Sequence, residues 1–510
     1  FHSKPRSSVG RVKQKLKEWF IAIKLEKSYT KKEIITMYFN TVAFSGNAYG
    51  IKSASRAFYG QHPSQLKIED AATLVGMLKA TTYYNPHRNP ENSLSRRNTV
   101  LAQMHKYGYI KKNELDSLKN LPLETAYQVE DHNKGLATYF REKLRKDLKK
   151  WCKTHKKADG TNYNLYRDGL KIYTTIDSRM QKHAENAVSE HMSALQNDFD
   201  KHWKGHKNAP FDSELSKKEI DRIVSNGMKQ SERYRRMRYD QKISKDSIKV
   251  CFNTPIKMKL FSWGKEIDTV LSPLDSIRYA KSFLRTGFMS MEAGTGHIKA
   301  WVGGINHHHF KYDHVHKGKR QVGSTFKPFV YTVALDNGES PCLEVPDQPY
   351  TFSEGLEEPW TPKNSDGDYT REMLSLKFGL AGSINSITAY VMKKYGPKSV
   401  VNMAKKLGIK NEIKAYPSIC LGTFDLSVFE MVGAYGTFAN KGIWVEPIYI
   451  SKIEDKLGNV IEEFIPKRTE AISEQSAIGM VKLMQGVVDG VRNEKLIHPK
   501  TGKQGVTTGT

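Results

Sequence analysis

Pro328 places the strictest limit on how this chain can fold. Proline lacks the N–H that a helix interior needs, and its ring collides with the carbonyl one turn back, so it is tolerated only in a helix's first turn. The segment Gly323-Ser324-Thr325-Phe326-Lys327-Pro328-Phe329 must therefore start its helix close to Pro328. That puts Ser324 near a helix N-terminus, where main-chain N–H groups are free to stabilise an oxyanion. Serine is a poor nucleophile without a base beside it. Ser324 and Lys327 are three residues apart, so on a helix they share a face and the amine can reach the hydroxyl. To act as a base, Lys327 needs a pKa lowered by desolvation or by a nearby cation.

Ser-x-x-Lys alone is a weak signal. Ser64–Lys67 and Ser262–Lys265 also spell it, without the preceding Gly or the following Pro-Phe. A second element strengthens Ser324: Ser383-Ile384-Asn385, within Leu380 to Asn385. Ser383 can relay a proton, and the Asn385 amide can hold both the lysine and a substrate carbonyl. The plainer role for this pair is a helix cap.

Around these residues the pattern changes along the 510-residue chain, whose length suggests about three domains. Residues 11–108 carry helical spacing, with segments at 31–39, 68–80 and Ser93 to Tyr107 and a proline loop at Tyr84 to Pro90. From about 110 to 285 come two basic runs, 141–157 and Arg233 to Arg238, which read as solvated helix faces. Between them lie an alternating strand, Leu170 to Ile176, and a helix from Arg179 to Met192. From 286 onward the pattern is α/β. It predicts paired strands at 288–291 and 297–302, helices at 324–336, 372–394, 398–407, 427–440 and 474–488, and a hairpin from Ile448–Ile453 to Asn459–Phe464. With 38% hydrophobic and 10% aromatic residues, disordered and collagenous classes are excluded. Four cysteines, Cys152, Cys251, Cys342 and Cys420, exclude a disulfide-stapled scaffold. Lys plus Arg number 81 against 54 Asp plus Glu, a formal charge of +27. Such a charge suits an anionic partner: nucleic acid, a membrane surface or a phosphorylated substrate. There is no apolar run long enough to span a membrane and no signal peptide. The chain opens on Phe1 and stops at Thr510 within a Gly/Thr-rich stretch, which reads as an internal fragment of a longer protein.

Taken in order, several motifs resemble the transpeptidase domain of a bifunctional, class A penicillin-binding protein. They are Gly294-Thr295-Gly296-His297-Ile298-Lys299-Ala300-Trp301-Val302-Gly303-Gly304, then Arg320 to Phe329, Trp360-Thr361-Pro362-Lys363-Asn364, Ser383-Ile384-Asn385, and Glu430 to Asn440. The resemblance implies a serine acyltransferase with Ser324, Lys327, Ser383 and Asn385 as its catalytic residues. Ser324 would attack the penultimate D-Ala carbonyl of a peptidoglycan stem peptide and release D-Ala. A neighbouring amine would then resolve the acyl-enzyme into a cross-link. β-Lactams would acylate the same serine. The motif set also includes Lys-Thr-Gly on an inner strand. Lys500-Thr501-Gly502 spells it, but Pro499 and the flanking charges suit a turn better than a buried strand. Met484 to Asp489 resembles the family segment before a Gly-Thr-Gly loop, which Thr508-Gly509-Thr510 would match, leaving the true Lys-Thr-Gly beyond the end. Whether Lys500-Thr501-Gly502 is functional stays open.

The N-terminal motifs resemble the second half of the lysozyme-like peptidoglycan glycosyltransferase domain. They run from Gln14-Lys15-Leu16-Lys17-Glu18-Trp19 through Lys24 to Ile34, Met37-Tyr38-Phe39-Asn40 and Ala48-Tyr49-Gly50-Ile51 to Arg96-Arg97-Asn98. The resemblance implies substrate-binding roles for Lys15, Glu18, Asn40 and Arg97, with Lys15 and Glu18 at the pyrophosphate or metal side. Without that context, Lys15 and Glu18 would be a surface ion pair. Gln14 departs from the family, which usually has a basic residue there. The segment that carries the family's catalytic glutamate is not matched.

The expected architecture is multidomain α and α/β. A partial glycosyltransferase domain would cover 1–110, a linker or accessory region 111–285, and a penicillin-binding/β-lactamase-like transpeptidase domain, an antiparallel sheet flanked by helices, 286–510. No cofactor is expected for transpeptidation, and a divalent metal, Mg or Mn, for glycosyl transfer. The expected partners are the lipid-linked peptidoglycan precursor, glycan stem peptides and β-lactams, with membrane attachment through an anchor absent from this chain and no nucleic acid. The expected location is the cell envelope, anchored in the cytoplasmic membrane with the catalytic domains outside it. Competing readings are an inactive scaffold of the same fold, a serine β-lactamase, and a basic nucleic-acid-binding protein. The β-lactamase reading is opposed by the long N-terminal helical region, and the nucleic-acid reading by the lack of a recognition motif.

Overall fold

The computed structural model describes residues 8–44, 48–127, 135–365 and 367–489. They fall into two units: unit 1 is Phe1–Lys134 with Asp147–Leu170, and unit 2 is Gly135–Lys146 with Lys171–Thr510.

Unit 1 is helical: α1 (Ser8–Ser28), α2 (Lys31–Thr41), α3 (Ile51–Tyr59), α4 (Ile68–Met77), α5 (Pro90–Lys106) and α6 (Lys112–Asn120). The start of α2 is set by a reciprocal cap. Thr30 Oγ1 accepts from the Glu33 N–H, and Glu33 returns a bond from the Thr30 N–H at 2.8 Å, an arrangement worth about 1 kcal/mol. Pro90 opens α5 at a position where its missing N–H costs nothing. One core gathers Phe44, Ala54, Phe58, Leu74 and Met77, and a second holds Ala72, Leu101, Ile110 and Leu115 from α4 to α6. On α1, by contrast, Trp19 and Phe20 are 70% and 75% exposed.

α7 (Thr138–Thr154) carries the boundary between the units. Unit 2 continues with β1 (Lys171–Thr174), α8 (Ser178–Trp203), α9 (Lys217–Gln230), α10 (Glu232–Arg235) and α11 (Lys245–Asn253). The hairpin β2 (Ile256–Ser262) and β3 (Lys265–Leu271) follows, then α12 (Pro273–Lys281). Met228, Met237, Ile248 and Phe252 give this stretch a small core of its own. Within the Arg233–Arg238 run, Met237 points inward while Arg233, Arg235 and Arg236 face solvent, as the solvated-face reading expects.

The rest is β4 (Phe288–Glu292), β5 (His297–Val302), β6 (Lys319–Gln321), α13 (Lys327–Asp336), β7 (Glu344–Pro346) and β8 (Met373–Ser375), then α14 (Leu376–Ala381), α15 (Asn385–Tyr395) and α16 (Pro397–Lys406). β9 (Asp425–Ser427), α17 (Val428–Ala439), β10 (Ile443–Val445), β11 (Ile450–Glu454), β12 (Val460–Glu463), β13 (Arg468–Glu470) and α18 (Glu474–Asp489) complete it. The strands form small antiparallel sheets. β4 pairs with β5, and the order β1-β11-β12 joins the strand at 171–174 to the C-terminal hairpin, with Ile172 opposite Ile453. A strand from the stretch read as a linker is thus a sheet member. α8 lies along β5, and the fully buried Gln181 amide substitutes for a strand neighbour. It accepts from the Trp301 N–H at 2.7 Å and donates to the Trp301 carbonyl at 2.9 Å.

Two expected helices differ in detail. The helix expected at 324–336 begins at Lys327, preceded by a 3₁₀ turn, Gly323–Phe326. The one expected at 372–394 is a short strand and two helices, because Ser383 takes a left-handed conformation, φ 54°, that no α-helix continues through.

Candidate active site

The 3₁₀ turn that carries Ser324 is clamped from three sides. Phe326 and Phe329 are buried and stacked, with centroids 4.7 Å apart. The Tyr435 hydroxyl of α17 donates to the Thr325 carbonyl at 2.6 Å. The Gly323 N–H donates to the Gly422 carbonyl at 3.0 Å. Gly422 has φ 67°, and a Cβ there would collide with the main chain of Gly323, so only glycine permits this approach.

Lys327 begins α13 with its side chain 0% exposed. Its Nζ lies 2.6 Å from the Ser383 carbonyl, 3.0 Å from Ser383 Oγ and 2.7 Å from Asn385 Oδ1. Ser383 Oγ is in turn 3.0 Å from Ser324 Oγ. The four residues expected at the catalytic centre are therefore joined in one hydrogen-bonded chain, with Ser383 between the lysine and the nucleophile. Burial pushes the Lys327 pKa down to about 8, and the Cys420 thiol adjoins the amine. Cys420 is itself fully buried, and burial raises its pKa to about 12, so it stays a neutral thiol. A neutral Lys327 amine has two N–H donors, which match the Ser383 carbonyl and Asn385 Oδ1. Its lone pair then faces the Ser383 hydroxyl. The left-handed backbone of Ser383 makes this possible, because both its carbonyl and its hydroxyl turn toward the same amine.

Neither Ser383 nor Asn385 is the N-cap of the helix that follows them. The N-cap of α15 is Ile384, with no side-chain cap bond. Asn385 instead bridges Lys327 and the main chain, its Nδ2 donating to the Lys363 carbonyl at 2.8 Å. That leaves one amide hydrogen for a substrate carbonyl.

Behind this row lies a buried carboxylate that the motif spacing did not single out. Asp347 is 1% exposed. It accepts from Asn364 Nδ2 at 2.9 Å, from Ser386 Oγ at 2.5 Å, and from the N–H and Oγ1 of Thr370 at 2.8 and 3.0 Å. These donors hold its pKa below the usual carboxylate range against the opposing effect of burial. Asn364 Oδ1 also accepts from the Ser386 N–H at 3.1 Å. Asp347 thus locks the loop that carries Lys363 onto the start of α15. Asn364 was visible in the Trp360–Asn364 motif, but Asp347, in Val345-Pro346-Asp347, has no spacing that marks it. Lys500-Thr501-Gly502 lies outside the described residues.

The residues expected at a glycosyltransferase site are placed differently. Lys15 and Glu18 form an exposed ion pair at 2.8 Å on α1, and Asn40 is exposed near the end of α2. Arg97 departs from the expectation of a substrate-facing cation. It is 1% exposed, and its guanidinium donates to the carbonyls of Lys119, Leu121 and Pro122 at 3.2, 2.8 and 3.3 Å. Those carbonyls lie at the end of α6, where helical acceptors lack partners. A single carboxylate already paired with a lysine does not fit Mg or Mn, which require several oxygen ligands. Among the described residues, no helix is long and apolar enough to cross a membrane.

Three family models match in series: transglycosylase over residues 3–105, penicillin-binding protein middle domain over 206–284, and penicillin-binding protein transpeptidase domain over 286–509. Penicillin-binding protein 1A of Aquifex aeolicus is 29% identical over 514 residues, which cover 96% of this chain and 66% of that protein. Penicillin-binding protein 2D of Bacillus subtilis is 27% identical over 478 residues, covering 94% of this chain and 56% of that protein. The chain therefore spans less than two thirds of the length of these relatives. A crystal structure of penicillin-binding protein 1A from Haemophilus influenzae aligns with a TM-score of 0.60 at 22% identity, over 92% of this chain and 74% of that one, a likeness of fold.

Proposed function

Because the chain belongs to the bifunctional, class A penicillin-binding proteins, we propose that it acts in peptidoglycan synthesis as a serine-type D-Ala-D-Ala transpeptidase joined to a glycosyltransferase. The observation that carries the transpeptidase reading is the chain from the buried Lys327 amine through Ser383 Oγ to Ser324 Oγ. As Ser324 Oγ bonds to the penultimate D-Ala carbonyl carbon, its proton passes to Ser383 Oγ and the Ser383 proton to Lys327 Nζ. Lys327 then returns a proton by the same route to the departing D-Ala nitrogen as the peptide bond breaks. An amine of a neighbouring stem peptide attacks the acyl-enzyme, loses its proton to the same relay, and restores the Ser324 hydroxyl. The remaining Asn385 amide hydrogen orients the substrate. A β-lactam opens on Ser324 in the same way, but its leaving nitrogen stays tethered.

The transglycosylase match supports a polymerising half that acts on lipid-linked disaccharide. There Lys15, ion-paired with Glu18, and Asn40 are exposed to a pyrophosphate-bearing donor. The charge of +27 suits such a donor at an anionic membrane surface, and the protein works in the cell envelope, anchored to the cytoplasmic membrane.

Incubation with penicillin should add the mass of one ring-opened molecule, mapped to Ser324, and Ser324→Ala should carry none. An adduct that persists in Ser324→Ala sinks the nucleophile assignment.

A further inference from the structure

Away from the serine–lysine row, unit 2 brings together two imidazoles and a carboxylate. Glu266 lies early in β3, opposite Phe261 of β2. His308 and His309 lie in the loop after β5. One ligand atom from each of the three residues falls within 4.8 Å of the other two, and His309 Nε2 is 2.9 Å from Glu266 Oε1. Both partners of this junction are held. Asn306 Oδ1 accepts from the N–H groups of His308 and His309 at 2.9 and 3.1 Å. Phe261 packs on Phe310 at 5.2 Å, and the Arg285 guanidinium lies 3.4 Å from the Phe310 ring centre. The Tyr139 hydroxyl fixes the Phe310 carbonyl at 2.6 Å.

We propose that Glu266, His308 and His309 form a binding site for a divalent transition ion of the zinc class, which ties the β2–β3 hairpin to the loop after β5. Two nitrogen ligands and one carboxylate are donors that zinc accepts, whereas magnesium and calcium call for an all-oxygen shell. Three such ligands leave a fourth position for water. In a tetrahedral zinc site, with bonds of about 2.0–2.1 Å, ligand atoms stand roughly 3.4 Å apart. The His309–Glu266 pair, at 2.9 Å, needs only to open slightly and any wider spacing to close from within 4.8 Å, and Glu266 and His308, both exposed, can make these adjustments. The net charge of such a centre is +1, so the carboxylate offsets part of the repulsion from nearby Lys259. The ion would join the segment matched by the middle-domain model to the segment matched by the transpeptidase model.

The test is titration of the chelator-treated chain with Zn(II) against a chromophoric competitor, alongside His308→Ala, His309→Ala and Glu266→Gln. His308→Ala alters an exposed side chain and should fold, which melting of the metal-free protein checks. We expect one ion per wild-type chain, a higher melting temperature with zinc, and affinity at least about tenfold weaker in each variant, since even outer-shell changes cost that much. Three results overturn the site: no saturable binding to the wild type, a loss smaller than tenfold in His308→Ala, or a loss that follows His202→Ala instead. The last would locate the ion at the stacked His202–His206 pair on α8.

Discussion

Lys327 in unit 2 and Arg97 in unit 1 are both buried cations, 0% and 1% exposed, and both donate hydrogen bonds to uncharged oxygens. They do opposite work. The Arg97 guanidinium holds its proton at any working pH, so its fan of donors simply ties down the end of α6. Burial lowers its pKa, but from a value too high for deprotonation to matter. The same desolvation brings Lys327 to about 8, where the amine exists in both states and can trade protons with a hydroxyl. Burial makes a base of the lysine and a strut of the arginine.

Exchanging or truncating these residues tests the contrast. Lys327→Met should slow penicillin acylation of Ser324 by about a thousandfold, within the usual worth of a positioned base. Lys327→Arg should do no better, since a guanidinium cannot accept the proton. An active arginine variant would show that the group acts by charge alone. Arg97→Met strands three carbonyls and should cost about 3 kcal/mol in the unfolding of unit 1 by denaturant, with the acylation rate of folded protein unchanged. Next comes Asp347→Asn, which removes the charge that anchors four donors. It should cost about 2 kcal/mol and slow acylation by releasing the Lys363 loop from α15. A loss of stability with no change in rate would separate that scaffold from catalysis.

The smallest effect is in pH. Below about 8 the free amine fraction of Lys327 falls, so acylation should drop about tenfold per unit and level off above that value. A flat profile between pH 6 and 8, measured at about unit intervals, would rule out the lysine as base. The stability sign runs the other way from a paired lysine. Between about 8 and 10.5 the unfolded chain holds the extra proton, so this group's contribution to stability rises with pH across that window.

Local patterns located much of this. Pro328 forced a helix start beside Ser324, and the strand at 171–174, the hairpin at 450–463 and the loop before Pro90 lie where alternation and turn residues put them. Spacing also paired Ser324 with Lys327 and marked Ser383 and Asn385. It could not show that Ser383 stands between the other two, because that depends on a left-handed backbone at a non-glycine residue. Arg97 and Asp347 were beyond its reach for a related reason. The carbonyls that hold Arg97 lie 22 to 25 residues away, and the donors around Asp347 come from Asn364, Thr370 and Ser386.

What the amino-acid order determined by itself was therefore local: where helices can begin, which residue types can form an acyl-transfer site, and a charge suited to an anionic substrate. Tertiary structure alone decided which cation was to be a base. A side chain's pKa depends on the water it loses and the atoms that replace it, and those atoms come from segments distant in the chain.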